Sequence, residues 1–113
     1  MPRRIEQVDQ FIQEELGNIF LSEIEFPQGC LVTITKAQTA KDLKSAKVWI
    51  SILPIKYTGQ VLELLNKRIG YIQGLLNKKL SMKIRPKISF GVDRTEEEAS
   101  KIEEIFNQIE KEE

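Results

Sequence analysis

Apolar residues recur along this chain with a period that switches between about 3.6 and 2 in a fixed order, and that order limits the folds open to it. Ile5, Val8, Ile12, Leu16, Ile19 and Phe20 fall at steps of three and four with Glu6, Asp9, Gln13 and Glu14 between them, the pattern of an amphipathic helix. Pro27 and Gly29 punctuate the chain, after which Val32 and Ile34 alternate with Thr33 and Thr35, predicting a strand over Cys30 to Lys36. Ala37 to Lys44 reads as a polar loop of about eight residues. Beyond it Val48, Ile50 and Ile52 oppose Lys47, Trp49 and Ser51 in a second strand, antiparallel to the first, that Pro54 ends.

Helical spacing then returns. Thr58 is placed to cap a helix with Val61, Leu62, Leu65 and Ile69 as its stripe; Gly70 interrupts it, and Ile72, Leu75, Leu76 and Leu80 continue in a second short helix. Lys78 and Lys79 near its end complement the helix dipole. From Met82 to Val92 the alternation is clean: Met82, Ile84, Pro86, Ile88, Phe90 and Val92 on one face, Lys83, Arg85, Lys87 and Ser89 on the other. Pro86 lacks a backbone donor, so this strand belongs at a sheet edge or carries a bulge. Thr95 and Glu98 are spaced as a capping box for a last helix striped by Ala99, Ile102, Ile105, Phe106 and Ile109. The expectation is an α+β domain spanning 1–113, a three-stranded sheet packed with helices in the order α-β-β-α-kink-α-β-α.

Charge narrows the function. The 17 basic and 17 acidic residues cancel, but their distribution is uneven. Residues 1–35 carry two basic and six acidic groups, residues 36–87 twelve and two, and residues 88–113 three and nine. A cationic middle between acidic ends focuses positive potential that the zero total hides. The absence of histidine removes Ser-His-Asp and Cys-His nucleophile systems and His-ligated zinc. Lone Cys30 among apolar residues reads as a small hydrophobe, and no Walker lysine appears. Glu96 to Glu98 read as a helix start rather than acid-base catalysts. With no apolar leader and no run of 18 apolar residues, a cytoplasmic protein without membrane contact is expected.

The order of elements, with a glycine break between two short helices, is that of a type II KH domain, and a plain two-layer α and β fold would share much of it. Within it, Leu31-Val32-Thr33-Ile34-Thr35, Asp42-Leu43 and Ala46-Lys47-Val48-Trp49-Ile50-Ser51 resemble the strand pair of bacterial ribosome-binding factor A. Arg68-Ile69-Gly70-Tyr71-Ile72, Leu75-Leu76 and Arg85-Pro86-Lys87-Ile88-Ser89-Phe90 with Asp93 resemble the same family in the same order. The resemblance implies a non-enzymatic, monomeric assembly factor with no cofactor. Its implied partners are the small (30S) ribosomal subunit and 16S rRNA precursor, with an assembly GTPase as a further one, and its implied role is late 16S maturation. In that family the glycine-rich KH loop is replaced by a small residue, any residue, then glycine. Here Arg68 departs at the first position, and Gln73 stands where a basic residue often follows the glycine.

The residues support RNA binding on their own terms. A helix starting at a kink exposes unpaired N–H groups that a glycine lets a phosphate approach, and Arg68 can add a bidentate contact. Candidate RNA contacts are Lys36, Lys41, Lys44 and Lys47 from the strand pair, Lys67, Arg68 and Gly70 from the kink, Lys78 beyond it, and Lys83, Arg85 and Lys87 from the third strand. They are expected to gather on one exposed flank beside the bend. Duller readings remain beside these: Gly70 as a helix C-cap, the basic strand face as merely solvated, Lys78 as a dipole partner, and Trp49 as covered by the first or last helix rather than stacked on a base. A KH-like binder of another structured RNA and a basic protein-interaction module are the alternative functions.

Overall fold

The computed structural model describes residues 2–80 and 85–95. Helix α1 (Pro2–Glu23) leads into strands β1 (Leu31–Thr39) and β2 (Ser45–Leu53). A single 3-10 turn (Ile55–Tyr57) precedes helices α2 (Thr58–Lys67) and α3 (Ile69–Lys79), and strand β3 (Lys87–Val92) follows. The sheet order is β1-β2-β3, with β1 antiparallel and β3 parallel to β2. A parallel neighbour needs a crossover, and α2 with α3 supplies it. The last helix expected from the sequence lies outside the described residues, apart from its start at Thr95.

All three helices bury their apolar stripes on one side of the sheet. Val8, Ile12, Leu16 and Ile19 of α1, Val61 and Leu65 of α2, and Ile72 and Leu76 of α3 join Ala46, Val48, Ile50 and Ile52 of β2 and Ile88 of β3 in one core. Each fully buried aliphatic side chain contributes on the order of 1.5–3 kcal/mol, so this layer dominates stability.

Several boundaries differ from the sequence reading, each for a local reason. Strand β1 runs on through Ala37 to Thr39, because an extra residue between Ile34 and Lys36 shifts the register and turns Ala37 and Thr39 into the core. The polar loop shrinks to Ala40–Lys44. Leu43 there takes φ 61°, its side chain buried and its N–H donated to Ala40 O at 2.9 Å. Thr58 does not cap α2: Tyr57 is the N-cap, and the Thr58 hydroxyl donates back to Ile55 O at 2.6 Å, closing the 3-10 turn. Strand β3 starts at Lys87, after Pro86; residues 82–84 of the longer expected strand lie outside the described residues. As expected from Pro86, β3 is an edge strand.

The break between α2 and α3 is not made by glycine. Arg68, at φ −99° and ψ 5°, ends one helix and starts the next: its N–H bonds Leu64 O at 3.1 Å and its carbonyl accepts Ile72 N–H at 2.9 Å. Such bridge-region angles are open to any L-residue. Gly70 is therefore neither kink nor C-cap; it is the second residue of α3, and a Cβ there would meet nothing within 4 Å.

Two side chains fasten the layers. Asp9 of α1 accepts from the backbone N–H of Thr39 at 2.7 Å and from its hydroxyl, tying the first half of α1 to the end of β1. Gln73 of α3 accepts from Ile88 N–H at 2.9 Å and donates to Pro86 O at 3.0 Å, so a side-chain amide fills the ladder positions that edge strand β3 would otherwise leave open. Replacing Gln73 with Met strands a buried N–H and should cost roughly 1–3 kcal/mol in urea unfolding. Leu21→Ser, at a side chain 88% exposed, should stay within about 0.5 kcal/mol.

Candidate nucleic-acid interface

The sheet face turned away from the helices collects its charge through one irregularity. Strict alternation from Val32 and Ile34 would send Lys36 into the core. The extra residue, Thr35, resets the phase, so Lys36 points outward and pairs with Trp49 across β1 and β2. The Thr35 hydroxyl donates to Asp93 Oδ2 at 2.8 Å, fixing the bulge against the chain just beyond β3. In register on the outer face stand Lys36, Trp49 and Gly91; Gln38, Lys47 and Ser89; and Ser45 with Lys87. Lys36, Lys47 and Lys87 are exposed, and among the described residues none forms an ion pair within 4 Å.

The turn at the far end of β1 extends this surface. Lys41 and Lys44 are exposed there, Lys44 N–H donates to Asp42 Oδ1 at 3.0 Å, and Lys44 O accepts Lys87 N–H at 3.0 Å, which sets the start of β3 beside the turn. Arg85, exposed and two residues upstream of Lys87, belongs to the same end. Six of the candidate cations thus lie on the outer face and its rim.

Lys67, Arg68 and Lys78 do not join them, so among the described residues the expected single flank beside the bend is replaced by separated groups. Asp9 holds the early part of α1 near Thr39, whereas Tyr71, one turn into α3, donates to Glu23 at the end of α1 at 3.0 Å. The bend is therefore at the opposite end of the sheet from the Ala40–Lys44 turn. Arg68 lies 4.8 Å over the Tyr71 ring, and Lys67 pairs with Glu63 at 3.3 Å and lines a hollow with Glu25. The Glu23 carboxylate, by accepting that hydrogen bond and by its charge, raises the Tyr71 pKa. Lys78 sits in a groove between α3 and α1 beside Glu15 and Glu23, on the helical side. Lys83 lies outside the described residues.

Trp49 is not buried under α1. Its Nε1–H donates to Gln38 Oε1 at 2.9 Å on the outer face, and the Lys47 and Lys36 ammoniums stand 4.8 and 5.4 Å from its ring centroid. Sequence reasoning missed three residues that shape this surface: Thr35, Asp93 and Gly91. No periodicity announces a bulge, and none announces that a Cβ at residue 91 would fall 2.7 Å from Lys47 Cε.

Among the described residues no three His, Cys, Asp or Glu side chains group as metal ligands. Burial raises the Cys30 pKa, away from a reactive thiolate, and the thiol lines an apolar groove between α1 and β1. No helix among the described residues is long and apolar enough to cross a membrane.

Comparison with known proteins agrees with this architecture. The family described as ribosome-binding factor A matches residues 4–106. A ribosome-binding factor A from Akkermansia muciniphila is 30% identical over 98% of this chain and 88% of its own length. One from Bdellovibrio bacteriovorus is 34% identical over 96% and 81%. The crystal structure of the Thermus thermophilus factor superposes with a TM-score of 0.70 at 16% identity, covering 80% of this chain and 97% of that one. A homology model of the Thermus thermophilus factor, fitted into a cryo-EM map of a complex of the 30S subunit with ribosome-binding factor A, gives 0.57 at 19% identity over 79% and 90%.

Asp93 gives a titratable readout of the hydrogen bonds it accepts from Thr95 and Thr35. Hydrogen bonds from the Thr95 backbone and side chain, then from the Thr35 hydroxyl, aided by the Lys36 charge, hold its carboxyl at about 2 against an ordinary 3.8. A depressed native pKa stabilises the fold above the unfolded value and is lost as pH falls through the native one. Wild type should therefore lose stability relative to Asp93→Asn between about pH 4 and pH 2, measured by urea denaturation, and parallel curves would contradict the assignment. The KH-like α+β architecture, the family match along residues 4–106 and these relatives together show that the chain belongs to the ribosome-binding factor A family.

Proposed function

We propose that this protein binds the small ribosomal subunit through the outer face of its sheet and acts there, without catalysing a reaction, as an assembly factor in late 16S rRNA maturation. Family membership supports the ribosome as target, and the complex of the 30S subunit with ribosome-binding factor A supports the choice of subunit. The observation that carries the mode of binding is the set of lysines Lys36, Lys47 and Lys87 on one outer surface, none in an ion pair within 4 Å among the described residues, continued by Lys41, Lys44 and Arg85 at its rim.

Physically, such a surface gains affinity by displacing counterions from phosphates. The cations come from all three strands and the turn, so their spacing is set by the sheet rather than by flexible loops. A rigid array of this kind recognises the course of a folded backbone, which makes RNA shape the main determinant. The bend contributes less, since its cations stand beside Glu63, Tyr71 and Glu23. An α3 N-terminus with glycine at its second position still offers N–H groups to one phosphate.

Co-sedimentation with purified subunits tests the reading. If all six cations engage, log affinity should fall against log salt with a slope of roughly 5, about a thousandfold or more between 50 and 200 mM salt. Reversing Lys36, Lys47 and Lys87 to Glu should abolish binding to small subunits, while Lys78→Glu with Lys79→Glu should leave it nearly unchanged. Equal affinity for small subunits, large subunits and unrelated RNA would remove the assembly-factor reading. Unchanged binding by the triple variant would remove the outer face.

A further inference from the structure

The chain's single tryptophan stands on central strand β2 with its ring held from both sides. The Nε1–H is fixed to Gln38 on β1. The far edge of the indole lies against Gly91 on β3, where a Cβ would come within 3.1 Å of Cζ3 and 3.2 Å of Cε3. With one end anchored on β1 and the other over β3, the ring lies across the sheet instead of projecting from it. Glycine at residue 91 is what lets it lie there. Lys36 and Lys47 hold ammoniums 5.4 and 4.8 Å from the ring centroid with no carboxylate paired to either within 4 Å among the described residues.

We propose that Trp49 is a stacking platform for one unpaired nucleobase, with Lys36 and Lys47 receiving the phosphates that flank it. This deepens the RNA-binding reading and rests on it. Single-stranded RNA presents a planar ring and neighbouring anions in one ligand, matching an immobilised indole between two cations. A duplex keeps its base faces stacked inside and meets only the lysines. An acidic peptide satisfies the lysines and leaves the indole unmatched. In the free protein the ammoniums rest over the ring by cation–π attraction, and on binding they turn to phosphate. The inferred ligand is thus an exposed loop or unpaired strand within an otherwise shape-recognised RNA.

Because Trp49 is the only tryptophan, its emission reports this site alone. Wild-type protein would be titrated at low salt with an unstructured single-stranded RNA, with an abasic strand of the same length, and with a duplex. Tryptophan emission and the anisotropy of the labelled RNA would be read together. The single strand should quench emission with the same midpoint as the anisotropy change, while the duplex and the abasic strand should bind without quenching. Trp49→Leu should weaken single-strand binding roughly tenfold and leave duplex binding unchanged, with Trp49→Phe recovering most of the loss. Lys36→Gln and Lys47→Gln should each lower the salt slope by about 0.7. Anisotropy change by the single strand without quenching, or equal quenching by the abasic strand, would overturn the platform while leaving RNA binding intact. No anisotropy change with any of the three would remove RNA binding and the platform together.

Discussion

One extra residue in β1 determines which face of the sheet carries charge. A strand's side chains alternate strictly, so inserting Thr35 between Ile34 and Lys36 inverts everything after it. Before the bulge Val32 and Ile34 face the helices; after it Ala37 and Thr39 do, and Lys36 and Gln38 go to the other side. Without the inversion a lysine would enter a layer made of Val48, Ile50, Leu65 and Leu76, where an unpaired charge is prohibitive. The Thr35–Asp93 hydrogen bond is the local sign that the bulge is held in place. Stability and charge display thus share one structural cause.

The helical layer works toward the same end from the opposite side. By burying one face completely, α1, α2 and α3 leave the other to polar and cationic groups, the division that an antiparallel pair with a single apolar face allows. Asp9 and Gln73 then lock helices to strand ends with hydrogen bonds that ordinary helix surfaces do not make. Gln73 also explains a departure from the family pattern. The position where a basic residue often contacts phosphate is occupied here by an amide that closes the edge of β3.

Much of this was legible in the sequence. Periods of 3.6 and 2 located α1, α2, α3 and the strand pair, Pro86 gave the edge character of β3, and separated short motifs pointed to the family now matched along residues 4–106. What was not legible shares a physical character: it depends on phase or on distant partners. The bulge shifts register by one residue without altering composition, so Ala37 to Thr39 looked like loop. The helix break looked like the work of Gly70, yet Arg68 makes it in a conformation that needs no glycine. The cations clustered in sequence, but an antiparallel arrangement of α1 and α3 sends the bend to one end of the sheet and Lys41, Lys44 and Arg85 to the other. Trp49 could be read as stacking on a base or as covered by the first or last helix; Gln38 and Gly91, eleven residues before and 42 after, hold it on the face away from the first helix, and the last helix lies outside the described residues.

In the proposed mode of binding RNA meets mainly the outer sheet face, and the bend contributes less. Ultraviolet crosslinking of the protein on small ribosomal subunits, with the attached peptides identified by mass spectrometry, reads this without any substitution. The account predicts crosslinks concentrated in residues 36–49 and 85–91. Crosslinks confined to residues 67–71, or to α1, would contradict it.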